Sequence, residues 1–212
     1  MRRQRGGSRT RRRRTTASGS PLCWVCLVAL SGCGFGSAPE PPGPGWERGS
    51  VPDLRGDRVL LLPAQLGDGS GEHADRELRF ALQEAGPSVG WLVAEELEEV
   101  IAGVGRLGAD VRNLPVAVFE SGEVRRVGDP LFGTFYRMAA LTDARWILLP
   151  VSARTGSGGG DGSRPLVVNV ALLDPRTGRV LWQGIVQGVP GDPASPAPAA
   201  SAAERIARRI LP

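Results

Sequence analysis

PLVVNVALLDPRTGRVLWQG, residues 165–184, decides the fold. Val167, Asn169, Ala171 and Leu173 fall on one side of an extended chain, and Val168, Val170 and Leu172 on the other, which is the period of a strand. The pattern breaks at Asp174 to Gly178 with turn chemistry. Asp174 accepts local backbone bonds, Pro175 presets the first turn position, and Gly178 can take the left-handed conformation. An apolar run, Arg179 to Gly188, then returns. The stretch predicts an antiparallel hairpin.

Upstream, RWILLPVSA (145–153) is a buried strand, joined to the hairpin by the glycine-rich loop 154–164. Before it, Asp129 stands as N-cap and Pro130 as first helical residue of a helix with Leu131, Phe135, Met138 and Thr142 on one side. Downstream, a proline-rich link leads to a closing helix over 197–211. Ala199, Ala203, Ile206 and Ile210 form its apolar stripe, and Arg205, Arg208 and Arg209 its wet face.

Further upstream, RVLLLPA (58–64) has the continuous apolar character of a parallel-sheet strand. A helix over 75–85 carries Leu78, Ala81, Leu82 and Ala85 on one stripe and stops at Gly86-Pro87. SVGWLV (88–93) predicts a short strand, and AEELEEVIAG (94–103) a helix whose early glutamates suit its positive end. Residues 103–128 are the least legible; VAVF (116–119) fits a strand or a short helical turn. The expected architecture is α/β: a mixed sheet of about five strands with a parallel start and an antiparallel hairpin near the C-terminus, covered by about four helices.

The amino-terminal end follows a different logic. Eight arginines and no acid occupy residues 1–20, and PLCWVCLVALSG (21–32) carries no charge. A basic stretch, an apolar stretch and small residues at the exit are the parts of a bacterial export signal. The apolar part is shorter than the roughly 20 residues a spanning helix needs. Leu30-Ser31-Gly32-Cys33 resembles the lipobox of bacterial lipoproteins. That resemblance implies cleavage before Cys33, acyl chains such as palmitate on the new amino-terminal cysteine, and a cell-envelope address. Thr10-Arg11-Arg12 opens like a twin-arginine signal, but Arg14 stands where that motif wants a large apolar residue.

The expected division is therefore 1–32 signal peptide, 33–57 proline- and glycine-rich tether, and 58–212 single α/β domain. Gly34 and Phe35 give no aspartate retention signal after the cysteine, which points to the outer membrane, facing the periplasm. Trp46 stands out in the tether as either folded back on the domain or a partner-binding anchor.

Processing at Cys33 inverts the charge. The 212-residue chain has 26 basic residues, all arginine, and 22 acidic ones, a net +4. Removing the eight leader arginines leaves 18 against 22, a net −4. The basic balance thus belongs to the leader and gives no ground for a nucleic-acid partner. Cys23 and Cys26 would leave with the signal, so the mature chain has no disulfide to form and must hold by packing.

The stretch from Arg145 to Gly188, together with the early RVLLLP strand and the closing helix, is similar to envelope lipoproteins related to the curli-secretion channel lipoprotein and to the amino-terminal domain of the Tol-system propeller protein (the TolB amino-terminal-domain-like superfamily). The resemblance implies a non-enzymatic role in assembly, secretion or activation of cell-wall enzymes. It carries no catalytic residue across.

Chemistry-bearing motifs are sparse. Gly103-Val-Gly105-Arg-Leu-Gly108 has dinucleotide-binding spacing but follows a helix rather than a strand. His73 is the sole histidine. Asp68, Glu72, Asp75 and Glu77 crowd around it without the spacing of a calcium loop. The absence of lysine excludes phosphate-loop lysine and Schiff-base chemistry. The sequence thus assigns no catalytic residue, no metal ligand and no cofactor, and expects no enzyme. It names Cys33 as the lipidation site and Trp46 as a possible partner contact. The expected role is a lipid-anchored envelope protein that binds a protein partner or itself; an envelope hydrolase and a small-ligand-binding lipoprotein are the alternatives.

Overall fold

The computed structural model describes residues 42–104, 110–160 and 162–211. The 1–32 signal, Cys33 and residues 34–41 of the expected tether lie outside them, as do Gly105 to Gly108 of the glycine motif.

Among the described residues seven strands form one sheet: β1 (Glu47–Gly49), β2 (Arg58–Leu61), β3 (Leu66–Gly67), β4 (Gly90–Leu92), β5 (Trp146–Thr155), β6 (Leu166–Asp174) and β7 (Arg179–Gln187). The order is β1-β7-β6-β5-β2-β4, with β3 continuing the line of β2 along β5. β2, β3, β4 and β5 run parallel, while β5, β6, β7 and β1 form an antiparallel series. Four α-helices among the described residues cover it: α1 (Gly71–Ala85), α2 (Ala94–Val104), α3 (Leu131–Thr142) and α4 (Ala197–Ile210). The mixed α/β sheet expected from the sequence is the fold observed, with two very short strands added.

The hairpin turn forms as its residues dictate. Arg176 N donates to Asp174 Oδ1 at 2.9 Å and Thr177 Oγ1 to Asp174 Oδ2 at 2.7 Å. Gly178, at φ +70°, donates to the Asp174 carbonyl at 2.8 Å. A side chain at Gly178 would also meet the Phe132 ring.

The core has two parts, one on each side of the sheet. On one face α1 and α4 pack onto Val59, Leu61, Leu148, Val168, Val170 and Leu172, with alanines 74, 81, 199, 202, 203 and 207 buried between them. On the other, α2, α3 and a 3₁₀ turn at Ala117–Ser121 meet Leu60, Ile147, Leu149, Ala171 and Leu173 around Phe119, Phe135 and Met138. The alternation along β6 thus sorts its side chains between two cores. The illegible 103–128 region supplies Val111, Leu114, Val116 and Phe119 to the second face, with VAVF folded mainly as helical turn.

Two expectations need correction. α3 begins at Leu131 and Pro130 takes the capping position. Asp129 lies outside, yet its carboxylate still accepts from Gly133 N at 3.2 Å. The second concerns the tether. Glu47 to Gly49 pair with Gly184 to Trp182, and Leu54 is buried in the α1/α4 core. The built structure therefore starts well before Arg58, and residues 47–57 are not spacer. Proline and glycine here serve tight geometry: Gly49, at φ +87°, passes so close to the Leu181 carbonyl that no side chain fits. The chain just before α3 comes back to the sheet too: Val127 N and Val180 N donate to the carbonyls of Gly178 and Arg125. The outer side of β7 is thereby covered twice, by β1 and by residues 125–127.

Candidate functional site

Two concave regions are each lined by three arginines. The first lies at the carboxyl ends of β2 and β4, the position where open α/β sheets leave a crevice for ligands. It holds about 260 Å³ and is lined by residues 61–63, the first half of α1, the start of α2, and Arg112. Its floor is Asp75, which accepts from Ala64 N at 2.8 Å. Burial pushes the Asp75 carboxyl up to about 6, against the opposing pull of that N–H and of Arg112. Arg79 and Arg112 reach in from α1 and from the loop beyond α2. Each is held by Glu95, at 3.5 and 3.8 Å, and Arg112 also meets Glu98 at 3.0 Å. Glu96 reaches back to Val93 N at 3.2 Å, an end cap for α2.

Gln65 ties the chain after β2 to the loop that carries Arg112. Its amide donates to the carbonyls of Pro63 and Val111 at 2.7 and 3.1 Å, and its oxygen accepts from Leu114 N at 2.8 Å. No spacing in the sequence singles out this glutamine, because its partners are backbone groups 46 and 49 residues away.

The acidic crowd around His73 disperses. The Ser70 hydroxyl and the Thr155 N–H hold the Asp68 carboxyl well below the usual carboxylate range, at 2.7 and 2.8 Å. Asp75 faces the cleft instead. Among the described residues no cluster of three or more His, Cys, Asp or Glu is placed to hold a metal ion. His73 is half-buried on α1, and its Nδ1 is enclosed without a hydrogen-bond partner. Gly103 sits near the end of α2, on helix and not after a strand.

The second region surrounds Trp46. Gly45 N donates to the Ile185 carbonyl and Ile185 N to the Trp46 carbonyl, both at 2.8 Å, which seats the segment against β7. The Trp46 ring is half-buried, packed at Gly122 with Arg48 over it at 6.0 Å from the ring centre. It borders a groove of about 660 Å³ between β7 and α4, whose other wall carries Arg205, Arg208 and Arg209. Arg209 clasps Glu47 through both carboxylate oxygens, at 2.7 and 2.8 Å. The structure thus folds Trp46 back on the domain and also sets it at the rim of a basic groove. Trp46 and the α4 arginines were singled out separately in the sequence; only the pairing of β1 with β7 brings them together.

No family model matches this sequence, and no curated protein matches it. Among solved structures it is similar to the PelC dodecamer from Paraburkholderia phytofirmans at 16% identity and TM-score 0.47, over 78% of this chain and 96% of that one. It is also similar to the LpoB C-terminal domain from Salmonella enterica, at 17% identity and TM-score 0.43, over 65% and 86% of the two chains. Lipoprotein GNA1162 from Neisseria meningitidis gives 16% identity and TM-score 0.40, over 64% and 81%. No helix among the described residues is long and apolar enough to cross a membrane.

Proposed function

We propose that this chain is a lipid-anchored cell-envelope protein, held at the outer membrane on its periplasmic side through Cys33, whose domain acts as a non-enzymatic partner-binding factor in envelope assembly or maintenance. The observation that carries the proposal is the lipobox Leu30-Ser31-Gly32-Cys33, placed directly behind an arginine-rich leader and a short apolar run. Several acyl chains on one cysteine make attachment effectively permanent, since each buried methylene contributes about 0.8 kcal/mol. Metabolic labelling with a palmitate analogue tags the wild type and leaves Cys33→Ala unlabelled; equal labelling of both refutes the anchor. Crosslinking and pulldown of the intact lipoprotein from its own membranes recovers a partner or a second copy, and recovery of monomer alone at native expression counts against the partner role.

A second reading has one specific observation in its favour. The cleft at the ends of β2 and β4 gathers Asp75, Arg79 and Arg112, a set suited to a small ligand with both cationic and anionic groups. Calorimetric titration with free amino acids and short peptides tests it, and heat that persists unchanged in Asp75→Asn argues against it.

A further inference from the structure

The groove between β7 and α4 has a place relative to the anchor that follows from chain length alone. This inference rests on the proposed acylation of Cys33. Eight residues lie between Cys33 and Pro42, nine chain steps that cannot reach beyond roughly 30 Å whatever their conformation. The chain joins the folded domain beside Trp46, so this pole is held within that distance of the bilayer.

The groove at that pole has the composition of a bilayer-facing surface. Arg205, Arg208 and Arg209 stand exposed on one turn and a half of α4, against the single carboxylate of Glu47 inside the groove. Arg209 is committed to Glu47 and Arg205 gives one donor to the Gln187 carbonyl. Arg208 meets Glu204 only at 3.8 Å, so it and the remaining donors of Arg205 face outward. The half-buried Trp46 lies along the rim, over the buried Ile185. Arginine with an amphipathic indole is the pairing that settles at the headgroup level of membranes. We propose that this groove docks on anionic phospholipid headgroups of the bilayer that holds the anchor, fixing the domain's orientation there. The chemistry recognised is a phosphate-bearing anionic surface.

The test separates the groove from the anchor. A chain beginning at residue 33 and carrying Cys33→Ala lacks both the lipid and the arginine leader, yet keeps both cores, which are built from residues beyond 50. Its sedimentation with phosphatidylcholine vesicles containing phosphatidylglycerol is compared with pure phosphatidylcholine. Binding only to the anionic vesicles, falling with salt, is expected. The double variant Arg205→Gln, Arg208→Gln, with unchanged thermal unfolding, is expected to bind about 25-fold more weakly, since each arginine near an anionic surface contributes about fivefold. Trp46→Ala is expected to weaken binding as well, and wild-type tryptophan emission to shift blue on vesicles relative to that variant. Absence of binding to anionic vesicles, or equal binding by the double variant, overturns the proposal. Full competition by inorganic phosphate at matched ionic strength also overturns it, in favour of a soluble phosphate ligand. If palmitate labelling fails while vesicle binding holds, the anchor falls and the groove stands.

Discussion

The two faces of the sheet are built by opposite means. The α1/α4 face is a close seam of small side chains, with six buried alanines shared between the helices. The α2/α3 face is filled by large ones, Phe119, Phe135 and Met138, and by stretches without regular structure. A seam of alanines tolerates no added volume; a layer of phenylalanines tolerates no loss. Each face should therefore fail under the substitution the other withstands.

The largest effect falls on the second face. Phe135→Ala, 1% exposed, should cost about 3–5 kcal/mol in denaturant unfolding through the cavity it leaves. On the first face the matching break is enlargement: Ala203→Leu, 2% exposed, should cost about 1–3 kcal/mol. A cost for Ala203→Leu close to zero would mean the helices separate easily and the contrast is wrong.

A polar pin sharpens the comparison. Gln183 is fully buried and donates to the Phe119 carbonyl at 2.8 Å and to Asn169 Oδ1 at 3.0 Å, tying the 3₁₀ turn to the sheet. Its own Oε1 has no partner. Gln183→Leu strands Asn169 Oδ1 and takes one of two donors from the Phe119 carbonyl, which keeps Gly122 N at 3.1 Å, and should cost about 1–3 kcal/mol, with faster hydrogen exchange confined to residues 116–122. Uniform loss of protection across both faces would show that the pin is not local.

The smallest effect concerns Asp75, at the cleft where the faces part. Its carboxyl is raised from 3.8 to about 6, so the folded chain binds the proton more tightly than the unfolded one. Stability is greatest below the unfolded value and falls as pH rises from about 4 to 6. Asp75→Asn keeps an acceptor for Ala64 N and should flatten that fall, gaining about 1–2 kcal/mol at neutral pH once partial exposure is discounted. Thermal unfolding at pH 4 and pH 7 measures it, and a variant whose pH profile parallels the wild type would show Asp75 is not the source.

What was legible in the sequence follows the same division. The α1 and α4 stripes repeat at helical spacing, and the hairpin carries its own turn chemistry, so both could be found from neighbours in the chain. Phe119 and Val116 are buried by a short turn with no period, so residues 103–128 gave no signal of their own. β1 and β3, of three and two residues, are too short to alternate. Gln65 and Gln183 act on backbone groups dozens of residues distant, and local patterns carry no trace of that. The proline and glycine of residues 34–57 suggest a spacer by composition, whereas Gly49 is there because Leu181 leaves it no room.

The double cover on β7 bears on how copies behave when crowded. An unpaired strand border is a template for endless lateral growth, and short or occupied borders prevent it. At the opposite end of the sheet β4 offers three residues. A protease cut that frees residues 42–50 would keep nearly all of the hydrophobic interior while baring the main-chain groups of Leu181 and Ile185. Such a clipped chain should polymerise, so the slender first strand serves as a guard against fibres.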